Sequence, residues 1–135
     1  MYKRDANGIT VFSNSYNNTI IHNVTYANED TGLNFYTGAH DNFIIGNLSY
    51  GNGDHGIDDN AAPNNTIVGN TVQGNVTVGI NLEGDTAPGS GGATVMNNIS
   101  VDNGLNPPTG LPGNIRVDAQ SLSGTTLDYN IVFHH

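Results

Sequence analysis

The sequence predicts an all-β fold, a parallel β-solenoid of about five coils that forms a single domain over residues 1–135. Two observations predict it: an asparagine that recurs inside nearly the same string of residues, and a short alternating string that recurs in step with it. Self-similarity at a period of ~20–50 residues is typical of solenoids, in which each coil packs only against its neighbours. Hydrophobic residues make up 36% of the chain, which is little for a compact globule but enough for a solenoid.

The first recurring feature is an asparagine in strings such as TIIHN, FIIGN and TIVGN. The first three copies are 24 and 23 residues apart, and the later gaps are 28 and 32 residues. A second asparagine follows five residues after each of the first four copies. Buried amides stacked at the strand spacing satisfy one another and the turn backbone, so we expect an internal asparagine ladder. Its predicted members are Asn23, Asn47, Asn70, Asn98 and Asn130.

The second recurring feature is a five-residue string with apolar residues at its second position and, in all copies except one, at its fourth. The copies are GITVF (8–12), GLNFY (32–36), GIDDN (56–60), GINLE (79–83) and NIRVD (114–118). Alternation with a period of two is typical of a short strand with one buried face. Two further short apolar strings flank each ladder asparagine, so the sequence predicts three short strands per coil.

These strings resemble the repeats of right-handed parallel β-helices in the pectin-lyase-like superfamily. The resemblance rests on the strings NNTII, GNLSYGN and NNTIVGN and on the GI-x-hydrophobic strands, and it covers residues 5–135. It implies a right-handed coil whose stacked asparagines lie inside a sharp turn. It also implies that an enzyme of this kind would be a polysaccharide lyase, an epimerase or a glycoside hydrolase, although the superfamily includes non-enzymes as well.

Two long loops interrupt the repeat, at residues 83–93 and 103–113. Both flank the sheet that the alternating strings form, which we call the first sheet. Long loops on a rigid scaffold often carry function, and in the resembled superfamily the walls beside this sheet enclose a sugar-binding groove. Tolerated surface insertions are the alternative interpretation.

The alternation also predicts which side chains lie on the outer face of the first sheet. Aromatic rings beside amides and carboxylates are common in sugar-binding sites, whereas an ordinary solvated sheet face is the alternative. The third positions of the strings are Thr10, Asn34, Asp58, Asn81 and Arg116, and the fifth positions are Phe12, Tyr36, Asn60, Glu83 and Asp118. The predicted substrate-binding residues among them are Asn34, Tyr36, Asn60, Asn81, Glu83 and Asp118.

The densest group of reactive side chains lies in the string GDHGIDDN, residues 53–60. Asp59 stands where the other coils place an apolar residue, so either the strand ends early there or a carboxylate faces the core at a high cost. His55 has an ordinary pKa near neutrality, and the resembled lyases use a basic residue beside a uronate. The predicted catalytic residues are His55, Asp58, Asp59 and Arg116.

The formal net charge is −9, and the only cations are Lys3, Arg4 and Arg116. Binding to nucleic acid or to an anionic membrane surface is therefore excluded, because both depend on several lysines and arginines. The absence of cysteine excludes disulfides and thiolate metal sites. No motif requires a cofactor, and the oxygen ligands of Asp54, Asp58 and Glu83 would suit Ca²⁺.

The fold and its polar face predict a carbohydrate-binding or carbohydrate-processing module that acts on an extracellular polysaccharide, with catalysis left open. The alternative is a non-catalytic structural β-solenoid that self-associates through uncapped ends. Neither a signal-peptide core nor an apolar stretch long enough to span a membrane occurs in the sequence. Either the protein is not exported or its signal lies outside this sequence; we expect the second, for a fragment or short module of an exported parent protein.

Overall fold

The computed structural model describes residues 6–84, 86, 88–108 and 110–135. There the chain winds into a parallel β-solenoid of fifteen short strands arranged in three five-stranded sheets. Each sheet takes one strand from every coil, and neighbouring strands pair in parallel. The predicted fold class, with three short strands per coil, is confirmed. Pairing of the end coils with other copies stays a prediction.

The three sheets run side by side along the solenoid. The first contains β1 (Ile9–Val11), β4 (Leu33–Phe35), β7 (Ile57–Asn60), β10 (Val78–Glu83) and β13 (Gly113–Val117). The second contains β2 (Thr19–Ile21), β5 (Phe43–Ile45), β8 (Thr66–Val68), β11 (Thr94–Met96) and β14 (Thr126–Asp128). The third contains β3 (Val24–Tyr26), β6 (Leu48–Tyr50), β9 (Thr71–Gln73), β12 (Ile99–Val101) and β15 (Ile131–Phe133).

The core is a narrow column of apolar side chains, most of them from the first two sheets. It includes the fully buried Leu33, Phe35, Ile57, Ile80 and Leu82 from the first sheet and Ile44, Ile67 and Val95 from the second. The third sheet contributes smaller and more polar groups: Ser49 Oγ accepts from Thr25 Oγ1 at 3.0 Å and donates to the carbonyl of Gly56 at 2.8 Å. Such short hydroxyl side chains let the chain close its coil tightly while every buried polar atom in this pair is bonded.

The predicted asparagine ladder is present, and it stacks in the turn between the second and third sheets. From Asn23 to Asn98, the backbone N–H and side-chain Nδ2 of each member donate to Oδ1 of the next, at 2.8–3.0 Å. The residue before each member has a left-handed backbone with φ of 54–69°. This conformation makes the turn sharp enough to direct the amide inward.

Two further asparagine columns support the other corners of the coil. One contains Asn28, Asn52, Asn75 and Asn103, and Asn103 in turn donates to Oδ1 of Asn114. The other was missed by the sequence analysis and contains Asn18, Asn42 and Asn65. Together with the ladder, these columns contain more than half of the asparagines in the chain.

The two long loops lie where the sequence predicts them, between β10 and β11 and between β12 and β13. Positions 85, 87 and 109 within these loops lie outside the described residues, as do Lys3 and Arg4. A 3₁₀ turn, Ala119–Ser121, follows β13 and is capped by Asp118, which accepts from the Ser121 N–H at 2.9 Å. Both loops and this turn border the first sheet.

Candidate functional site

The outer face of the first sheet aligns polar side chains from successive coils. The parallel register places Asn34 beside Asp58, Asp58 beside Asn81, and Asn81 beside Arg116. The third-position side chains of successive coils therefore form a row in the predicted order, and we call such a row a rank. The solvated face given as an alternative is wrong for the centre of the rank, since Asn34, Asp58 and Asn81 are 6%, 6% and 0% exposed.

His55, Asp58 and Glu83 converge on one point of this face. One ligating atom from each lies within 4.8 Å of the corresponding atoms of the other two. Asn81 links them, because its Nδ2 donates to Asp58 Oδ1 at 2.8 Å and lies 3.4 Å from His55 Nε2. Parallel pairing brings Glu83 close to residues that precede it by more than twenty positions in the sequence.

Asp54, predicted as a metal ligand with Asp58 and Glu83, lies behind the imidazole of His55. Its Oδ1 is 3.6 Å from His55 Nδ1, beyond hydrogen-bonding distance. In the described cluster, His55 takes the place that the sequence analysis gave to Asp54. A carboxylate that accepts from the second nitrogen of a ligating imidazole orients the ring, and Asp54 occupies that side of His55 without forming the bond.

Burial sets the protonation of both central groups. Burial raises the pKa of Asp58 to about 8, with a further contribution from the nearby charge of Glu83, against the lowering effect of the Asn81 hydrogen bond. Burial lowers the pKa of His55, and this outweighs the carboxylates of Asp54, Glu83 and Asp30. In this site burial therefore favours the neutral form of both the Asp58 carboxyl group and the His55 imidazole.

Two buried polar atoms next to Asp58 have no hydrogen-bond partner among the described residues. They are Oδ1 of Asn34 and Nδ1 of His55. An unsatisfied buried polar group costs about 1–3 kcal/mol, so native structures rarely keep two of them together without a reason. Asn34 adjoins Asp58 in the sheet register, so its Oδ1 can receive a ligand at the cluster, whereas His55 Nδ1 faces Asp54 and a third such atom, Asp59 Oδ2, lies in the core.

Arg116 lies at the edge of the cluster and binds two of its members. Nη1 donates to Asn81 Oδ1 and to Glu83 Oε2, both at 2.7 Å. The Glu83–Arg116 pair separates two adjoining cavities of about 230 and 200 Å³. The first is lined by Asp54, His55, Thr77, Val78, Glu83, Gly110, Leu111 and Arg116, and the second by Asn60, Glu83, Gly84, Arg116 and Asp118.

The loop after β10 is a fixed wall of this face. The Ser90 hydroxyl bonds to the carbonyls of Asp59 and Glu83 and accepts from the backbone N–H of Ala62. Asp118 Oδ2 accepts from the N–H of Gly84 at 2.9 Å. Asp118, predicted to bind substrate, thus uses both carboxylate oxygens within the protein, one here and one in the 3₁₀ turn.

Asp59 is separated from the other predicted catalytic residues because it points into the core. The early strand end is wrong, since β7 continues through Asn60 and Asp59 is fully buried. Its Oδ1 accepts from Asn65 Nδ2 at 2.7 Å. In the next coil Ala93 occupies the position of Asn65, so the column has no further amide, and the Asp59 carboxyl group takes the place of the missing acceptor.

The remaining predicted substrate-binding residues lie at the margins of the cluster. Tyr36 stacks on Phe12 with ring centroids 5.4 Å apart, and both rings are exposed. Asn60 lines the smaller cavity beside Glu83. A larger cavity of about 550 Å³ lies at the last coil, around Ile115, Leu127 and Phe133. Among the described residues, the group that could hold a metal ion lies on the first sheet and not at this cavity. The first-sheet face is therefore the stronger candidate.

Comparison with known proteins gives a family for the fold that carries this site. Searches of the curated proteins and of the solved structures returned no match. In the described ranges no helix has the length and apolar character needed to cross a membrane. The family model described as "Periplasmic copper-binding protein (NosD)", a right-handed β-helix family of the pectin-lyase-like fold, matches residues 2–109. Because the match covers most of the chain and the sheets and ladders agree with that fold, the protein belongs to the NosD family.

Proposed function

We propose that this β-helix binds a divalent metal ion on the outer face of its first sheet, through His55, Asp58 and Glu83. The observation that carries the proposal is the convergence of their ligating atoms within 4.8 Å. The unpartnered buried Oδ1 of Asn34, a residue that adjoins Asp58 in the sheet, gives it independent support. The family description names copper and the periplasm, and we extend both to this chain as part of the proposal.

The donor set fits copper(II) better than copper(I). One imidazole nitrogen and carboxylate oxygens are ligands that copper(II) accepts, and copper(II) binds most tightly in the divalent series. Copper(I) prefers thiolates and thioethers, but the chain has no cysteine, and Met96 lies on the second sheet. The imidazole also favours a transition-metal ion over the predicted Ca²⁺, which takes oxygen ligands.

Calorimetric titration with copper(II), together with its electron paramagnetic resonance spectrum, tests this site. We expect one bound ion with a nitrogen ligand, and a loss of affinity in Asp58→Asn, Glu83→Gln or His55→Gln that is at least as large as the ~10–100-fold caused by losing a residue that only supports a ligand. Asp128→Asn, on the exposed β14 strand, is the matched control for loss of one charge. Unchanged affinity in all three site variants would exclude this location.

The pair at the last coil needs its own control. His135 Nδ1 lies 2.6 Å from Asp102 Oδ2 on the exposed surface, and such a pair can bind copper(II) adventitiously. The titrations should therefore be repeated in a His135→Gln background. Binding that disappears with His135→Gln alone would place the ion at the chain end and contradict the proposal.

Polysaccharide binding along the same face is a second candidate, and the exposed Phe12–Tyr36 stack favours it. The two rings continue the row of fifth-position side chains that includes Asn60 and Glu83, so a sugar chain lying along the sheet would meet aromatic faces and polar groups in turn.

Glycoside hydrolysis by this face depends on the distance between its carboxyl groups. The nearest ligating atoms of Asp58 and Glu83 are closer than 4.8 Å, whereas inverting glycosidases separate their carboxyl groups by about 6.5–9.5 Å.

Affinity electrophoresis in pectate, alginate and neutral glycans tests the second candidate. We expect retardation by at least one glycan and its loss in Tyr36→Ala, because the ring provides the apolar contact for a sugar face. Tyr26→Ala is the matched control, since Tyr26 forms a similar exposed stack with Tyr50 on the third sheet. Equal mobility in all gels, with no product absorbing near 235 nm and no new reducing ends, would rule this candidate out.

A further inference from the structure

The position of Arg116 carries an inference that rests on the proposed metal binding. We infer that Arg116 is the resident counter-cation of the metal-free site and competes with the metal ion for Glu83. Loading the site would then transfer Glu83 from the guanidinium to the ion. This role differs from the catalytic role that the sequence predicts for Arg116.

The contacts of Arg116 show why the two cations compete. A single nitrogen, Nη1, holds Glu83 Oε2 at 2.7 Å, and Glu83 is also one of the three converging ligands. The same nitrogen holds Asn81 Oδ1 at 2.7 Å, while Asn81 Nδ2 donates to Asp58 at 2.8 Å. Arg116 is therefore connected to both carboxyl ligands, directly to Glu83 and through one amide to Asp58.

The charges around the site explain why a cation is needed when no metal is bound. Asp54 and Glu83 bring two acidic side chains to one cavity, next to the Asp58 carboxyl group, in a chain whose net charge is −9. Arg116 is the one lysine or arginine within the described residues. Its side chain is only 25% exposed, and that of Glu83 is 31% exposed, so water screens this pair less than a surface pair. An ion that enters must displace or share these contacts.

The test compares copper(II) affinity in Arg116→Gln with that of the wild type. Glutamine removes the charge and the bond to Glu83, and we expect binding about tenfold tighter, a usual size for coupling between two ligands of one site. Arg116→Lys keeps the charge and should stay close to the wild type. The thermal unfolding of each variant is recorded by circular dichroism without metal, so that misfolding is recognised before affinities are compared.

A double-mutant cycle with Glu83→Gln shows whether the competition is for Glu83. In that background the effect of Arg116→Gln should shrink to less than about twofold, because the contested ligand is gone. Equal gains in both backgrounds would indicate a diffuse charge effect and overturn the inference, as would unchanged or weaker binding by Arg116→Gln in the presence of Glu83.

Copper(II) binding by the wild type and by Arg116→Gln distinguishes a failure of the competition from a failure of the metal site. If the wild type binds copper(II) and Arg116→Gln binds no tighter, the metal site stands and the competition is wrong. If only Arg116→Gln binds, both the site and the competition are supported. If neither protein binds copper(II), the proposed function is wrong and the inference falls with it.

Discussion

Replacing Asn70 by alanine is expected to lower the free energy of unfolding by about 4 kcal/mol. Asn70 is 1% exposed, and its Oδ1 accepts from both the backbone N–H and Nδ2 of Asn47, at 2.9 and 3.0 Å. Its Nδ2 donates to the carbonyl of Ile44 at 2.8 Å and to Asn98 Oδ1 at 3.0 Å. Alanine leaves the Asn47 N–H and the Ile44 carbonyl without this side-chain partner, at about 1–3 kcal/mol each. It also removes one of the two bonds of Asn47 Nδ2 and adds a small cavity.

The same substitution at Asn23 is the matched control, because Asn23 belongs to the same column but lies in the first coil. It is only half-buried, and its Nδ2 donates to Asn47 Oδ1, which keeps a second donor in the Asn23 N–H. We expect a loss of about 1 kcal/mol. Urea unfolding followed by circular dichroism measures both variants through the midpoint and the slope of the transition. Similar losses at the two positions would mean that the ladder adds no more stability than ordinary surface amides.

The asparagine ladder could be predicted, and so could the face of the first sheet on which each side chain lies, because both depend on local periodicity. Asn23, Asn47 and Asn70 recur at nearly constant spacing, and the alternation around Asn34 and Asn81 assigns each side chain to one face of the sheet. In a parallel solenoid, equivalent positions of successive coils become neighbours in space. Aligning the repeated strings with one another therefore predicts which residues are neighbours across the first sheet.

The burial of the site could not be predicted, because it depends on what the loops place over the sheet. Gly110 and Leu111, from the loop before β13, line the cavity that contains His55. The alternation of β7 would be the same whether its outer face were exposed to water or covered by such a loop. The pairing of Glu83 with Arg116 likewise depends on side-chain rotamers across two coils, which a residue pattern does not determine.

The column of Asn18, Asn42 and Asn65 could have been found but was missed. The three residues immediately precede the first positions of β2, β5 and β8, in the strings NNT, DNF and NNT. The fourth coil has Ala93 there, which interrupts the repeat and hides it. That interruption also explains Asp59: a carboxyl group faces the core because Asn65 needs an acceptor.

Asp59 is expected to make the protein less stable as the pH rises. Burial raises the pKa of Asp59 well above its ordinary value, and the charge of Asp58 adds to this, although the Asn65 hydrogen bond opposes it. The folded state then binds a proton that the unfolded chain has released above about pH 4. Its stabilising contribution is complete below that unfolded-state pKa and is lost, by about 1.4 kcal/mol per pH unit, as the pH rises towards the folded-state pKa.

Asp59→Asn separates this effect from the packing of the side chain, because it keeps the shape of the acid and an oxygen for Asn65 but carries no proton that can be lost. We expect the variant and the wild type to be similarly stable at pH 4, and the variant to gain stability relative to the wild type as the pH rises from 5 towards 7, by at most about 1.4 kcal/mol per pH unit. Asp58, whose pKa is raised to about 8, leaves a residual slope of the same sign in the variant. Urea titrations across this pH range measure both curves, with Asp128→Asn as the exposed control. A constant difference between Asp59→Asn and the wild type would show that Asp59 ionises in the folded core, and that its role as acceptor for Asn65 requires the charge.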